Sequence, residues 1–134
     1  MPPDETPAET WLRQAGEDLH VAREILADEA SPPRLACFLA HLAAEKATKA
    51  LLAASGRPVP RIHTLLALAA ELPAGLQAPF DRGELEELTP WAIAGRYADE
   101  LAEADAGMAA RLVEAAERVL EAAGDAIGRA GWWR

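Results

Sequence analysis

Leu12, Ala15, Leu19, Ala22 and Leu26 recur at intervals of three and four, and the same interval returns in most of the chain that follows. Such spacing gathers apolar side chains on one face of an α-helix. β-Branched residues are few, and no segment keeps up the alternation of a half-buried strand. The pattern therefore predicts an all-α fold.

Punctuation sets the predicted ends. Thr6-Pro7-Ala8-Glu9 offers a capping hydroxyl, a proline at the first helical position and a glutamate three residues on, so a first helix starts near Thr6. Residues 29–33 break it. Ser31 is placed to cap a second helix that tolerates Pro32 and Pro33 in its first turn, runs to about Ser55 and ends on the left-handed Gly56. The stretch RPVPR at 57–61 must be extended, because each proline disfavours helix at itself and before it. A short third helix covers about 63–72 and stops at Pro73. After the loop PAGLQAPF, a capping box at Asp81-Arg82-Gly83-Glu84 opens a short fourth helix to about Leu88. Pro90 and Gly95 flank an irregular segment. The last helix spans about 102–128, with Met108, Leu112, Ala115, Val119, Ala122 and Ala126 as its core stripe, broadened by Val113, Leu120 and Ile127. Three long helices and two short ones imply an antiparallel up-and-down bundle of four to five helices. We expect one domain over residues 1–134, with its core at about 8–128. The tail 129–134, which carries Trp132 and Trp133, is expected to be frayed or packed on a partner.

Composition narrows the function classes. One cysteine, Cys37, allows no internal disulfide and fits a reducing cytoplasm; inside an apolar run it reads as a small core residue. The opening MPPDETPAE is polar, acidic and proline-rich, unlike a signal peptide, and no apolar run approaches the ~20 residues that span a bilayer. The net charge of −9 opposes unspecific nucleic-acid binding, and nothing in the pattern reads a DNA groove. The charge is uneven, however. Residues 32–63 hold Arg34, Lys46, Lys49, Arg57 and Arg61 against Glu45 alone, a window of +4 that leaves −13 for the rest. Two readings are open: a basic island on an acidic body, or separate solvated charges on different helix faces.

Residues with chemistry concentrate in the second helix. His41, Glu45 and Lys49 stand at i, i+4 and i+8, with Lys46 one step around. They form either a solvated stripe with an ordinary Glu45–Lys49 pair or a groove whose ammonium groups meet phosphate or an acidic partner. His63 opens the third helix, where backbone N–H groups favour anions. Arg96-Tyr97 follows Gly95; a guanidinium suits phosphate, and Asp99 and Glu100 stand close by as alternative partners. The three histidines, His20, His41 and His63, are scattered, and His-x-x-x-His, Cys-x-x-Cys and Glu-x-x-His are all missing, so no metal or other cofactor is expected. Cys37 lacks the context of an activated thiolate, and Ser31, Ser55, Thr48 and Thr64 fall at caps or on helix faces, so no nucleophile is assigned.

In order and content the chain resembles the HEPN domain family. Ala15-Gly16-Glu17-Asp18-Leu19 is similar to the family's first-helix element. Phe38 with Ala44-Glu45-Lys46-Ala47-Thr48-Lys49-Ala50-Leu51-Leu52 is similar to its second-helix signature. His63-Thr64-Leu65 and then Arg96-Tyr97 follow in the family's order. The resemblance runs over about residues 10–127 and implies a helical bundle that commonly dimerises. It also implies one of two roles: a metal-independent ribonuclease, often a toxin, or the binding partner of a separately encoded minimal nucleotidyltransferase. The ribonuclease motif needs a histidine four to six residues after the arginine, to move the proton of a ribose hydroxyl while the arginine steadies phosphoryl charge. Arg96 is followed instead by Tyr97, Ala98, Asp99, Glu100, Leu101 and Ala102. The expectation is thus a non-catalytic, homodimeric binding module with a nucleotidyltransferase partner in a toxin–antitoxin-like or nucleotide-handling system. A nucleotide or RNA phosphate would lie among Lys46, Lys49, His63 and Arg96, with Glu45 orienting a lysine, Tyr97 stacking on a base and His41 on the same face. The alternative is a ribonuclease with a displaced histidine, His41 or His63.

Overall fold

Leu12, Ala15, Leu19 and Ala22 are fully shielded from solvent, as their spacing predicts, and they fix how the first helix lies. The computed structural model describes residues 4–61, 64–76, 81–93 and 103–134. These form α1 (Pro7–Ala27), α2 (Pro33–Ala54), α3 (Leu65–Ala70), α4 (Arg82–Leu88) and α5 (Ala106–Ala126), with short 3₁₀ turns at Ala74–Leu76 and Thr89–Ile93. No strand occurs among the described residues. The fold is an all-helical bundle.

The caps explain most of the boundaries. The Thr6 hydroxyl accepts from the Glu9 amide at 3.1 Å, and the Thr6 amide donates to the Glu9 carboxylate at 3.1 Å, closing the predicted capping box. Gly56 ends α2 at φ +75°, with its own amide bonded to the Ala53 carbonyl and the Arg57 amide to the Leu52 carbonyl, both bonds of a Schellman ending. The Asp81 side chain accepts from the Glu84 amide, starting α4.

Four expectations are corrected. Ser31 does not cap α2: its hydroxyl donates to Asp28 at 2.8 Å, and Pro32 takes the cap position without a side-chain bond. Asp28 gathers the turn because its other oxygen already holds the Ala30 amide. α3 is shorter than predicted, starting after Thr64 and ending before Glu71. α5 begins later than 102 because Asp105 caps it, accepting from the Met108 amide at 2.7 Å. Its stripe also turns: Ala126 is exposed and Met108 and Ala122 are half-buried, while Ala109, Ala116 and Ala123 go inward.

α2 is the central element. α1 runs antiparallel to it, placing Asp18 beside Lys46 and Trp11 beside Lys49. α5 runs parallel to α2, since Asp105 faces Cys37 at one end and Ala126 and Ile127 share a cleft with Ala53 and Ala54 at the other. The chain between α2 and α5, carrying α3 and α4, makes the return that keeps the up-and-down order. Ala36, Ala40, Ala43, Ala44, Ala47 and Ala50 are wholly buried along α2. Small side chains let the neighbouring helices approach closely, and Leu51, Leu52, Leu65, Leu68, Leu88, Leu112 and Leu120 fill the space between them.

A buried polar face on the central helix

The polar stripe of α2 does not face water. His41 is 1% exposed, Glu45 4% and Lys49 7%, and Thr48 beside them is fully buried. Thr48 meets its need locally, donating to the Ala44 carbonyl at 2.8 Å. The spacing i, i+4, i+8 does stack His41, Glu45 and Lys49 on successive turns. The reading of that face as a solvated stripe is overturned, because α2 lies among the other helices and keeps very little surface of its own.

The two lysines fare differently. Lys46 is engaged: its ammonium lies 2.8 Å from the Asp18 carboxylate of α1, with both side chains about four-fifths buried. The Asp18 oxygen has no aligned donor among the described residues, so the contact is close but angularly poor, and attraction between full charges dominates it. Lys49 is held loosely. Its ammonium is 3.9 Å from Glu45, outside hydrogen-bond reach, and 5.2 Å above the centre of the Trp11 ring. Attraction to the indole face and to the nearby carboxylate keeps the cation in place. Neither contact uses its N–H donors, and no hydrogen bond from it occurs among the described residues. A buried ammonium with spare donors can bind an anionic oxygen tightly, because little water competes for it.

His63, Arg96 and Tyr97 lie outside the described residues, as do Asp99 and Glu100. The basic window does not form one surface. Lys46 is neutralised by Asp18, Lys49 is buried, and Arg57 donates to the Glu71 carbonyl at 2.7 Å. Arg34 and Arg57 sit at opposite ends of a 22-residue helix roughly 33 Å long. Among the described residues, no cluster of three or more His, Cys, Asp or Glu side chains is placed to hold a metal ion. Cys37 is buried, and burial pushes its thiol up to about 11, which keeps it protonated and unreactive.

Two partners in this face went unassigned from sequence: Asp18 as the counter-charge of Lys46, and Trp11 as the platform under Lys49. Both belong to one lane of α1, seven residues apart, and that spacing was the available signal.

The HEPN domain family model matches residues 8–126 of the chain. The chain belongs to the HEPN family. Two solved structures agree with that membership. The protein TT1696 from Thermus thermophilus is 28% identical, with a TM-score of 0.71 over 88% of this chain and 96% of its own. ST0689, described as an archaeal HEPN homologue, is also 28% identical, with a TM-score of 0.69 over 90% of this chain and 97% of its own. No curated protein matches the chain. HEPN membership accounts for the signature at 44–52: in this fold those residues are the stretch of the central helix that carries Glu45, Lys46 and Lys49 inward. Among the described residues, this HEPN chain has no helix long and apolar enough to cross a membrane.

Proposed function

We propose that this protein is a homodimeric HEPN binding module that holds a phosphate-bearing ligand, a nucleotide or an RNA, and acts with a minimal nucleotidyltransferase in a toxin–antitoxin-like system. The observation that carries the reading is Lys49. An ammonium 7% exposed, backed by an indole and lacking a hydrogen-bonded carboxylate, costs more to bury than it returns within its own fold. An anionic ligand removes that deficit. Lys46 serves as structure, because Asp18 already satisfies its charge. Arg96, His63 and Tyr97, from the family's sequence order, complete the ligand contacts in this proposal, and Glu45 sets the position of Lys49.

The ribonuclease alternative required His41 or His63 to replace the missing base. At 1% exposure, His41 is out of reach of a ribose hydroxyl, which leaves that reading on His63 alone.

The test is calorimetric titration of the purified protein with ATP, GTP and a short RNA, repeated on Lys49→Met. The proposal expects binding of at least one ligand and at least about a tenfold loss of affinity in the variant, the scale of one charge-assisted contact. Absence of binding at millimolar ligand refutes the ligand assignment. Light scattering that reports a monomer refutes the dimer, and failure to co-purify with a nucleotidyltransferase from an adjacent reading frame refutes the partner.

A further inference from the structure

α5 does not end in a loose tail. After Gly128, at φ +73°, the chain turns back, and a second turn at Gly131, at φ +71°, brings Trp133 down between α1 and α5. Trp133 is 5% exposed, whereas its neighbour Trp132 is 43% exposed. Two helix-interior glycines make the seat. A Cβ on Gly16 of α1 would stand 2.2 Å from the Trp133 carbonyl oxygen. A Cβ on Gly124 of α5 would stand 3.2 Å from the edge of the indole. The Arg23 and Arg134 guanidinium groups lie 5.8 and 5.3 Å from the ring centre. Ion pairs of Arg129 with Glu9 and of Arg134 with Glu121 fasten the same segment to both helices.

The seat is nevertheless incomplete. The Trp133 indole N–H is buried with no hydrogen-bond partner among the described residues. The backbone bonds inside the tail are local, from the Trp132 amide to the Arg129 carbonyl and from the Arg134 amide to the Gly131 carbonyl. A segment held by one indole, two part-exposed ion pairs and a single backbone bond to α5, from the Arg129 amide to the Gly124 carbonyl, with a buried donor unsatisfied and no backbone bonds to α1, releases more easily than a helix. We propose that residues 129–134 are a strap. Closed, it pins α1 to α5 with Trp133 as its key; open, it swings on Gly128 while the bundle stays folded, uncovering the groove floored by Gly16 and Gly124.

Gly16→Ala tests this through the sign of its effect. In a helix interior, alanine is ordinarily more stable than glycine, so without a seated strap the variant melts higher. With the strap seated, the new methyl group strikes backbone, and the melting temperature falls by about 3–6 °C. The strap then stays open, and trypsin cuts after Arg129 at least about tenfold faster than in the unaltered protein. In a Trp133→Ala background, Gly16→Ala turns stabilising. A higher melting temperature for Gly16→Ala in the unaltered background overturns the proposal. Should that variant fold too poorly to measure, native-state hydrogen exchange on the unaltered chain decides. The strap requires the Trp132 and Arg134 amides to be protected yet to exchange through an opening insensitive to denaturant, below the global opening of α5. Unprotected tail amides, or tail and α5 amides exchanging as one unit, refute it.

Discussion

Replacing Asp18 with Asn and Lys46 with Met, singly and together, measures what the pair across α1 and α2 contributes. At 2.8 Å, two unit charges in a medium of effective dielectric 20 attract by about 6 kcal/mol. Most of that is offset by the water both groups lose, since the lysine side chain keeps 24% of its surface and the aspartate 19%. The poor alignment at the Asp18 oxygen removes the bonus of a well-formed charge-assisted hydrogen bond. The coupling energy should therefore come out at about 1–2 kcal/mol, above the ~0.2–1 kcal/mol of exposed pairs and below a fully buried, aligned one. Urea unfolding of the four proteins gives it directly as the non-additive part of the cycle. Asp18→Asn should cost more than Lys46→Met. The aspartate replacement strands an ammonium beside apolar alanines, whereas methionine keeps the lysine stem's packing and removes the charge. A coupling below about 0.3 kcal/mol would show that Lys46 reaches solvent and is not consumed by Asp18. Lys46 would then rejoin Lys49 as a candidate ligand contact, and the division of labour between the two lysines would fail.

Three further outcomes follow from individual contacts. Thr6→Ala should lower stability by about 1 kcal/mol in urea unfolding, because the Glu9 amide loses its hydroxyl acceptor while the backbone amide at position 6 keeps its bond to the Glu9 carboxylate. Stability should decline in acid: Glu5 is held below the ordinary carboxylate value by its bonds to Arg13, and Glu9 by the Thr6 amide and Arg129, so their contributions are complete above about pH 4.5 and disappear as pH falls through the lowered values. A urea midpoint that stays flat from pH 5 to 3 would contradict this. Cys37 should resist a thiol reagent at pH 8 in the native protein and react promptly in urea; equal rates would mean the thiol is neither buried nor raised to about 11.

The helices were legible because their signals are local. Period, capping residues and glycine endings all act within one turn: Thr6 and Gly56 did what their chemistry predicts, while Asp81 caps α4 without the return half of a capping box, because the Glu84 carboxylate is taken by Arg118. Ser31 does not cap because α2 starts at Pro33 with Pro32 at the cap position, one residue past Ser31, whose hydroxyl donates to Asp28 in the preceding turn. The polar stripe was legible as a stripe but not as a buried one. His41, Glu45 and Lys49 have the same spacing whether their face meets water or another helix, and only the surrounding helices decide. A sign was present nonetheless: alanines flank the stripe on both sides, and a helix meant to show that face to water would carry more charge there.

The tail marks where local reading ends. Gly124 reads in sequence as a weakness near the end of a helix, and Gly16 as part of a family element. In the fold, each is a place where a side chain would collide with Trp133. A glycine inside a helix has an energetic cost, so two of them opposite one another on α1 and α5 call for an occupant. The sequence holds a bulky one, Trp133, nine residues beyond Gly124, yet joining the three positions requires knowing that α1 and α5 are antiparallel neighbours, which no local pattern states. The same limit applies to Trp11 and Asp18: their lane is visible on α1, but its facing lysines are fixed only once the register of α1 on α2 is known. Register, not composition, is what turns scattered polar residues into a binding face.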